Sequence, residues 1–266
     1  MRSLQPTDID TLEAGSGPLV VLVHSSVSGA RQWRKLIDAL APSFHVKAPN
    51  LFGYGSTPPW PNDHPQTLAD QASIVEAVIP PDAEHLSLVG HSFGGAVAMT
   101  VAKRLGTRID KLVLLEPNPC TLLRDHGRED AFAEISAIRD WVTHHAAEDK
   151  WHIAAERFAD YWGGAGTWAS TNHERRTAFE TALRPNLYEW DAVMNDTTTL
   201  EEWIAALPAR TLLCSDRNSP RPICELAELF RANTAWTFHD IPTGGHMAPL
   251  TRPDLVNPIV EQFLRS

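Results

Sequence analysis

Ser92 sits in the run Gly90-His91-Ser92-Phe93-Gly94-Gly95, where small residues two positions to either side leave room for a sharp backbone turn. The apolar stretch Leu86-Ser87-Leu88-Val89 before it predicts a strand. Ala96-Val97-Ala98-Met99 through Leu105 predicts a helix of strong helix formers without proline. A serine lifted out at such a strand–turn–helix junction is a nucleophile elbow, and the helix N-terminus behind it favours developing negative charge. A hydroxyl is a weak nucleophile at neutral pH, so it needs a base to take its proton and an acid to orient that base. The expected base is His246, in Thr243-Gly244-Gly245-His246-Met247-Ala248-Pro249, between a strand ending at Ile241 and a final helix.

The elements that must position these groups alternate. Leu19-Val20-Val21-Leu22-Val23-His24 is a continuous apolar run, as in a strand covered on both faces. Ala30 to Leu40 predicts a helix with Trp33, Leu36, Ile37 and Leu40 on one stripe, and Phe44 to Ala48 a strand. A Gly-rich loop, Asn50 to Ser56, precedes a helix marked by Leu68, Ala72, Val75 and Ile79 and closed by Pro80-Pro81. The elbow unit and the strand Lys111 to Leu115 complete a β-α-β-α-β order, which implies a parallel sheet with helices on both faces. In such a sheet the His246 loop and Ser92 share the carboxyl edge.

After Glu116 the alternation stops. Residues 117–207 hold no convincing strand and read as helices broken by Gly163-Gly164-Ala165-Gly166 and Pro185. It resumes with the strand Thr211-Leu212-Leu213-Cys214, a helix from Ile223 to Ala232, a strand from Ala235 to Ile241 and a helix from Pro253. The expectation is an α/β core of residues 1–116 and 208–266, split by a helical cap, 117–207, over the active-site edge.

The whole composition bounds the function. Of 266 residues, 43% are apolar and 21% charged, ordinary for a globular chain with a real core. A formal net charge of −10 argues against nucleic acid as a partner. No run of 18 apolar residues predicts a membrane span, and Met1 to Asp8 lack an apolar leader segment. Cys120, Cys214 and Cys224 are odd in number without zinc-site spacing, which suits free thiols packed in a reducing, cytoplasmic setting. The expected partner is a small-molecule substrate, with no metal or organic cofactor; the oligomeric state stays open.

With the elbow, the Gly-Gly-His loop and the inserted helices in place, the chain resembles the α/β-hydrolase fold family over nearly its whole length. Within that family it is similar to bacterial cofactor-free hydrolases carrying a His-Ser-Ser loop, a Leu-Leu-Glu-Pro strand end and a Tyr-Trp-x-Gly-x-Gly cap segment. Here these are His24-Ser25-Ser26, Leu114-Leu115-Glu116-Pro117 and Tyr161-Trp162-Gly163-Gly164-Ala165-Gly166. The resemblance implies a mostly parallel doubly wound sheet of about eight strands, with the cap after the sixth.

The resemblance also frames the acid. The family's usual aspartate follows the seventh strand, where this chain has Cys214-Ser215-Asp216-Arg217-Asn218-Ser219-Pro220, and the aligned position, Asn218, carries no charge. Asp216 lies two residues early. Glu116 ends the strand beside the elbow strand, where other branches of the family place their acid. Glu116 is therefore the expected acid and Asp216 the alternative. The oxyanion hole is expected from the backbone N–H groups of Phe93 and, carried over from the family's His-Gly-x loop, Ser26. Ser25 stands where that pattern has glycine, so either the position needs no positive φ or its hydroxyl props the loop.

Six tryptophans fall in the inserted helices: Trp141, Trp151, Trp162, Trp168, Trp190 and Trp203. Most are expected to be core, with Trp162 and Trp168 the candidates for lining an apolar substrate pocket. His145, Asp149 and His152 fall at i, i+4 and i+7 and could share a helix face, but two histidines on a charged helix are usually solvated. The implied activity is hydrolysis of a carboxylic ester or lactone of a small, apolar substrate through a Ser-His-Glu triad and an acyl-enzyme. C–C bond (vinylogous diketone) or amide hydrolysis with the same triad is the alternative, and a non-catalytic ligand receptor a third.

Overall fold

The computed structural model describes residues 5–266, so the N-terminal residues 1–4 of the leader reading and of the expected core boundary lie outside it. Strands β1 (Thr11–Ala14), β2 (Leu19–Val23), β3 (His45–Pro49), β4 (Leu86–His91), β5 (Ile109–Leu115), β6 (Thr211–Ser215) and β7 (Thr237–Asp240) form one sheet in the order β1-β3-β2-β4-β5-β6-β7. β1 runs antiparallel to β3 and all other pairs are parallel. The sheet thus has seven strands among the described residues, not eight, and Glu116 follows its fifth strand. All five residues of β2 are buried, as its unbroken apolar run required of a strand covered on both faces.

Helices α1 (Arg34–Leu40), α2 (Leu68–Ala77) and α3 (Phe93–Leu105) alternate with the strands. The first helical stretch is split: Ala30–Trp33 winds as a 3₁₀ turn, and only then does α1 begin. Between β5 and β6 lie seven helices and no strand: α4 (Thr121–Asp125), α5 (Glu129–Ala147), α6 (Trp151–Gly163), α7 (Thr167–Ser170), α8 (His173–Leu183), α9 (Asn186–Met194) and α10 (Leu200–Ala206). The glycine cluster separates α6 from α7, with Gly164 at φ 93° and Gly166 at φ 85°. α11 (Arg221–Asn233), α12 (Ala248–Thr251) and α13 (Pro253–Arg265) complete the chain.

The sheet divides the core in two. One face buries Val20, Leu22, Val89 and Val113 against α1 and α13. The other buries Leu88, Leu112 and Leu114 with α2 and α3, and that cluster continues without a break into Ile135, Trp190 and Trp203 of the inserted helices. Among the described residues, no helix is long and apolar enough to cross a membrane.

Candidate active site

The elbow is set by close packing. A Cβ on Gly90 would lie 2.7 Å from Gly95 Cα, and one on Gly94 2.6 Å from Val23 C, so only glycine lets α3 start this near β4 and β2. Ser92 turns the chain at φ 54°, ψ −121°, outside the regions that L residues favour. Its N–H donates to Leu115 O at 3.0 Å, and Glu116 N–H donates to Cys214 O at 3.0 Å. Ser92 and Glu116 therefore leave neighbouring strands at the same edge. Glu116 also has a positive φ, 49°, and strain at two facing residues is the kind that persists where surroundings over-determine it.

The structure brings Ser92, His246 and Glu116 into one line. His246 Nε2 lies 2.9 Å from Ser92 Oγ, and His246 Nδ1 lies 2.7 Å from Glu116 Oε2. With Nδ1–H donating to the carboxylate, Nε2 is left to accept the serine proton. All three side chains are buried. Glu116 is saturated: Oε1 accepts from Asp216 N–H at 2.7 Å, and Ser219 Oγ lies 2.7 and 2.9 Å from the two carboxylate oxygens. Ser219 carried no signal in the sequence.

Asp216, the alternative acid, faces elsewhere. Its Oδ2 accepts from Gly245 N–H at 2.7 Å, and its Oδ1 accepts from Asn218 N–H and Nδ2, both at 2.8 Å. It braces the loop that presents His246 without touching the imidazole. Asn218 bonds to Asp216 and does not occupy the acid's place.

Ser26 and Phe93 flank Ser92 around the same cavity, and neither backbone N–H has an acceptor among the described residues. Ser25 is absent from the residues with positive φ, and its hydroxyl does prop the loop, bonding Ser28 Oγ at 2.8 Å and donating to Gln32 Oε1 at 2.9 Å. Gln32 Oε1 also accepts from Ser25 N–H at 3.1 Å, which fixes the amide so that its Nε2 donates to His91 Nδ1 at 3.0 Å. His91 Nε2–H then donates to His246 O at 2.9 Å. Burial holds His91 well below the ordinary histidine range, in keeping with this neutral tautomer. His24 is likewise a brace. It donates from Nδ1 to Ser25 O at 2.8 Å and accepts Leu51 N–H at Nε2 at 3.0 Å, and burial pushes its pKa down to about 4.

A cavity of about 1010 Å³ lies over Ser92, lined by the inserted helices on one side and by the Ser26 and His246 loops on the other. Trp162 lines it, its ring 4.4 Å centroid to centroid from His246. Trp168 does not. It packs on Phe179, centroids 6.0 Å apart, beneath the Arg176 guanidinium, so the pocket expectation for Trp168 is corrected. Trp190, Phe158, Asn118 and Glu189 line the cavity without having been singled out by the sequence.

His145, Asp149 and His152 do not share a helix face. α5 ends at Ala147, Asp149 turns at φ 56°, and α6 begins at Trp151. The group of potential ligand atoms found nearby is instead His144, His145 and Glu148, with Lys150 Nζ already 2.8 Å from Glu148. Cys120 and Cys214 are buried, whereas Cys224 is only half-buried, against the expectation for it.

A mostly parallel sheet with an elbow serine, a histidine loop and a carboxylate at one edge defines a class, and comparison with known proteins places the chain in it. The alpha/beta hydrolase family model matches residues 20–259, and the chain belongs to that family. It is similar to the pimeloyl-[acyl-carrier protein] methyl ester esterase of Pectobacterium carotovorum, 34% identical over 106 residues, covering 40% of this chain and 39% of that protein. It is also similar to the 2-hydroxy-6-oxo-2,4-heptadienoate hydrolase of Pseudomonas putida, 34% identical over 109 residues, covering 39% of this chain and 38% of that protein. Matches of this kind span 31% to 42% of the curated relatives' own lengths. Among solved structures, an esterase from Exiguobacterium antarcticum shares the fold with a TM-score of 0.78 at 16% identity, over 97% of this chain and 96% of that one.

Proposed function

We propose that the protein is a serine hydrolase that cleaves a carboxylic ester or lactone of a small, largely apolar molecule through an acyl-enzyme. The observation that carries this reading is the unbroken hydrogen-bonded line from Ser92 Oγ through His246 to Glu116 at the floor of the cavity. Ser92 Oγ attacks the carbonyl carbon while His246 Nε2 takes its proton, and Glu116 stabilises the imidazolium through Nδ1–H. The carbonyl oxygen, now carrying negative charge, receives the N–H groups of Phe93 and Ser26. His246 returns the proton to the leaving alkoxide, and water repeats the sequence to release the acid. The segment 117–207 acts as a cap that shapes the pocket. Its contribution to the lining includes Phe158, Trp162, Phe179 and Trp190, which suits an apolar or aryl group. The esterase named above supports the ester reading; the heptadienoate hydrolase supports a second, C–C bond cleavage by the same residues.

The test is covalent labelling followed by turnover. A fluorophosphonate should mark Ser92 in the wild-type protein and nothing in Ser92→Ala, and the wild type should release p-nitrophenol steadily from short-chain esters. Labelling that survives the substitution, or maps to Ser25 or Ser26, overturns the assignment. A vinylogous diketone cleaved in preference to every ester and lactone tried would favour the second reading.

A further inference from the structure

The loop after β2 holds a backbone conformation that a valine rarely takes. Val27 has φ 67°, in the left-handed region, where a β-branched residue is an outlier. Such strain persists only where neighbours hold it. The hold on Val27 comes from far along the chain. Its N–H donates to Tyr54 Oη at 3.0 Å, and Tyr54 in turn donates to Glu189 Oε1 at 2.8 Å. The Ser26 side chain also acts to lower the pKa of the same carboxylate, against the larger effect of burial. Asn186, at the start of α9, donates Nδ2 to Glu189 Oε2 at 3.0 Å and aims the side chain.

Glu189 is 1% exposed, and its hydrogen-bond partners among the described residues, Tyr54 and Asn186, are neutral donors. Burying a carboxylate without a cation is costly, and an apolar side chain of similar size would pack there at less cost. What the carboxylate adds is its grip, through Tyr54, on Val27, the residue next to Ser26. On the opposite side, Ser25 is gripped by Gln32 through both its N–H and its hydroxyl. The Ser26 N–H lies between these two anchors.

We propose that Glu189 is a positioning residue: from the inserted helices, its hydrogen bond through Tyr54 to Val27, the residue next to Ser26, holds the loop so that the Ser26 N–H faces the oxygen of the reacting carbonyl. The proposal rests on Ser26 being an oxyanion donor in the serine-hydrolase reading. Donors of this kind act on the transition state and not on ground-state binding, so misplacing one lowers kcat and leaves KM nearly unchanged.

The experiment uses the full chain, p-nitrophenyl butyrate as substrate and a trifluoromethyl ketone as a ligand that forms a tetrahedral adduct on Ser92. Glu189→Leu and Tyr54→Phe should each lower kcat about 10- to 100-fold, below the full loss of an oxyanion donor, with KM within about threefold. Affinity for the ketone should fall in parallel. Glu189→Gln keeps an acceptor for Tyr54 and should recover most of the rate. Because the two residues act in series, Tyr54→Phe combined with Glu189→Leu should be little worse than Glu189→Leu alone. Folded variants with wild-type kcat, a loss confined to KM, or a Gln variant as poor as the Leu variant would each overturn the role. If Glu189→Leu fails to fold, Tyr54→Phe decides, since it removes one oxygen and no carbon. Wild-type protein that fluorophosphonate does not label overturns the hydrolase reading and this role with it; labelled wild type with unchanged variants overturns this role alone.

Discussion

Two carboxylates stand within one residue of neighbouring strand ends, and their contacts separate their duties. Glu116 touches the imidazole, whereas Asp216 touches the backbone one residue before His246, at Gly245 N–H. In the proposed mechanism, Glu116→Gln should therefore remove the charge that stabilises the imidazolium; the corresponding Asp→Asn change in a serine protease lowers kcat by about 10⁴-fold. Asp216→Asn should cost about tenfold or less, ~1.4 kcal/mol in the barrier, because it loosens a loop without discharging the triad. Comparing kcat/KM of the two folded variants on one ester decides it, and a collapse in Asp216→Asn alone reverses the roles. The two neutral histidines make a separate prediction. Buried His24 takes its proton only near pH 4, while in the unfolded chain it takes one near 6.5. As pH falls from 6.5 to 4 only the unfolded state gains this proton, so the stability present above 6.5 is lost, by about 3 kcal/mol at the limit. His91, also depressed by burial, acts in the same direction. Denaturant unfolding at about pH 7 and about pH 4.5 should show the drop, and an NMR titration of His24 near 6.5 would contradict its source.

At the scale of elements, α6 and α7 present two kinds of tryptophan neighbourhood. Trp162 lies against His246 and lines the cavity; Trp168, just beyond the glycine break, packs on Phe179. Trp162→Ala should reorder the ranking of ester substrates, whereas Trp168→Ala should cost about 3–5 kcal/mol of stability and leave the ranking alone. Substrate panels and thermal melts on both variants check this, and a reordered ranking in Trp168→Ala would contradict it. What the sequence revealed of the site follows the same division between local and distant. The strand–turn–helix around Ser92, the strand end at Glu116 and the glycine-flanked His246 are spelled by contiguous residues. Ser219 and Glu189 are not, because their partners Glu116 and Tyr54 lie 103 and 135 residues away. The expected histidine–aspartate face failed for a local reason that periodicity does not register: Asp149 leaves the helix with a positive φ.

At the scale of the molecule, the inserted helices and one face of the sheet share a single apolar cluster, running from Leu88 and Leu114 through α3 to Trp190 and Trp203. Unfolding should then be one cooperative event. Six of the nine tryptophans lie between residues 117 and 207, so their fluorescence reports mainly on the insertion, while far-UV circular dichroism reports on the whole. The two transitions should coincide in temperature and in denaturant, and an earlier fluorescence transition would show the insertion melting on its own. The same shared cluster bears on grafting. Transplanting residues 117–207 onto another scaffold of this family would carry away half of a jigsaw whose other half is the outer surface of α3. A chimera would need the matching α3 residues, and Tyr54 with them, moved as one block. The recombination junctions that respect this protein lie inside its sheet layer, not at the ends of its insertion.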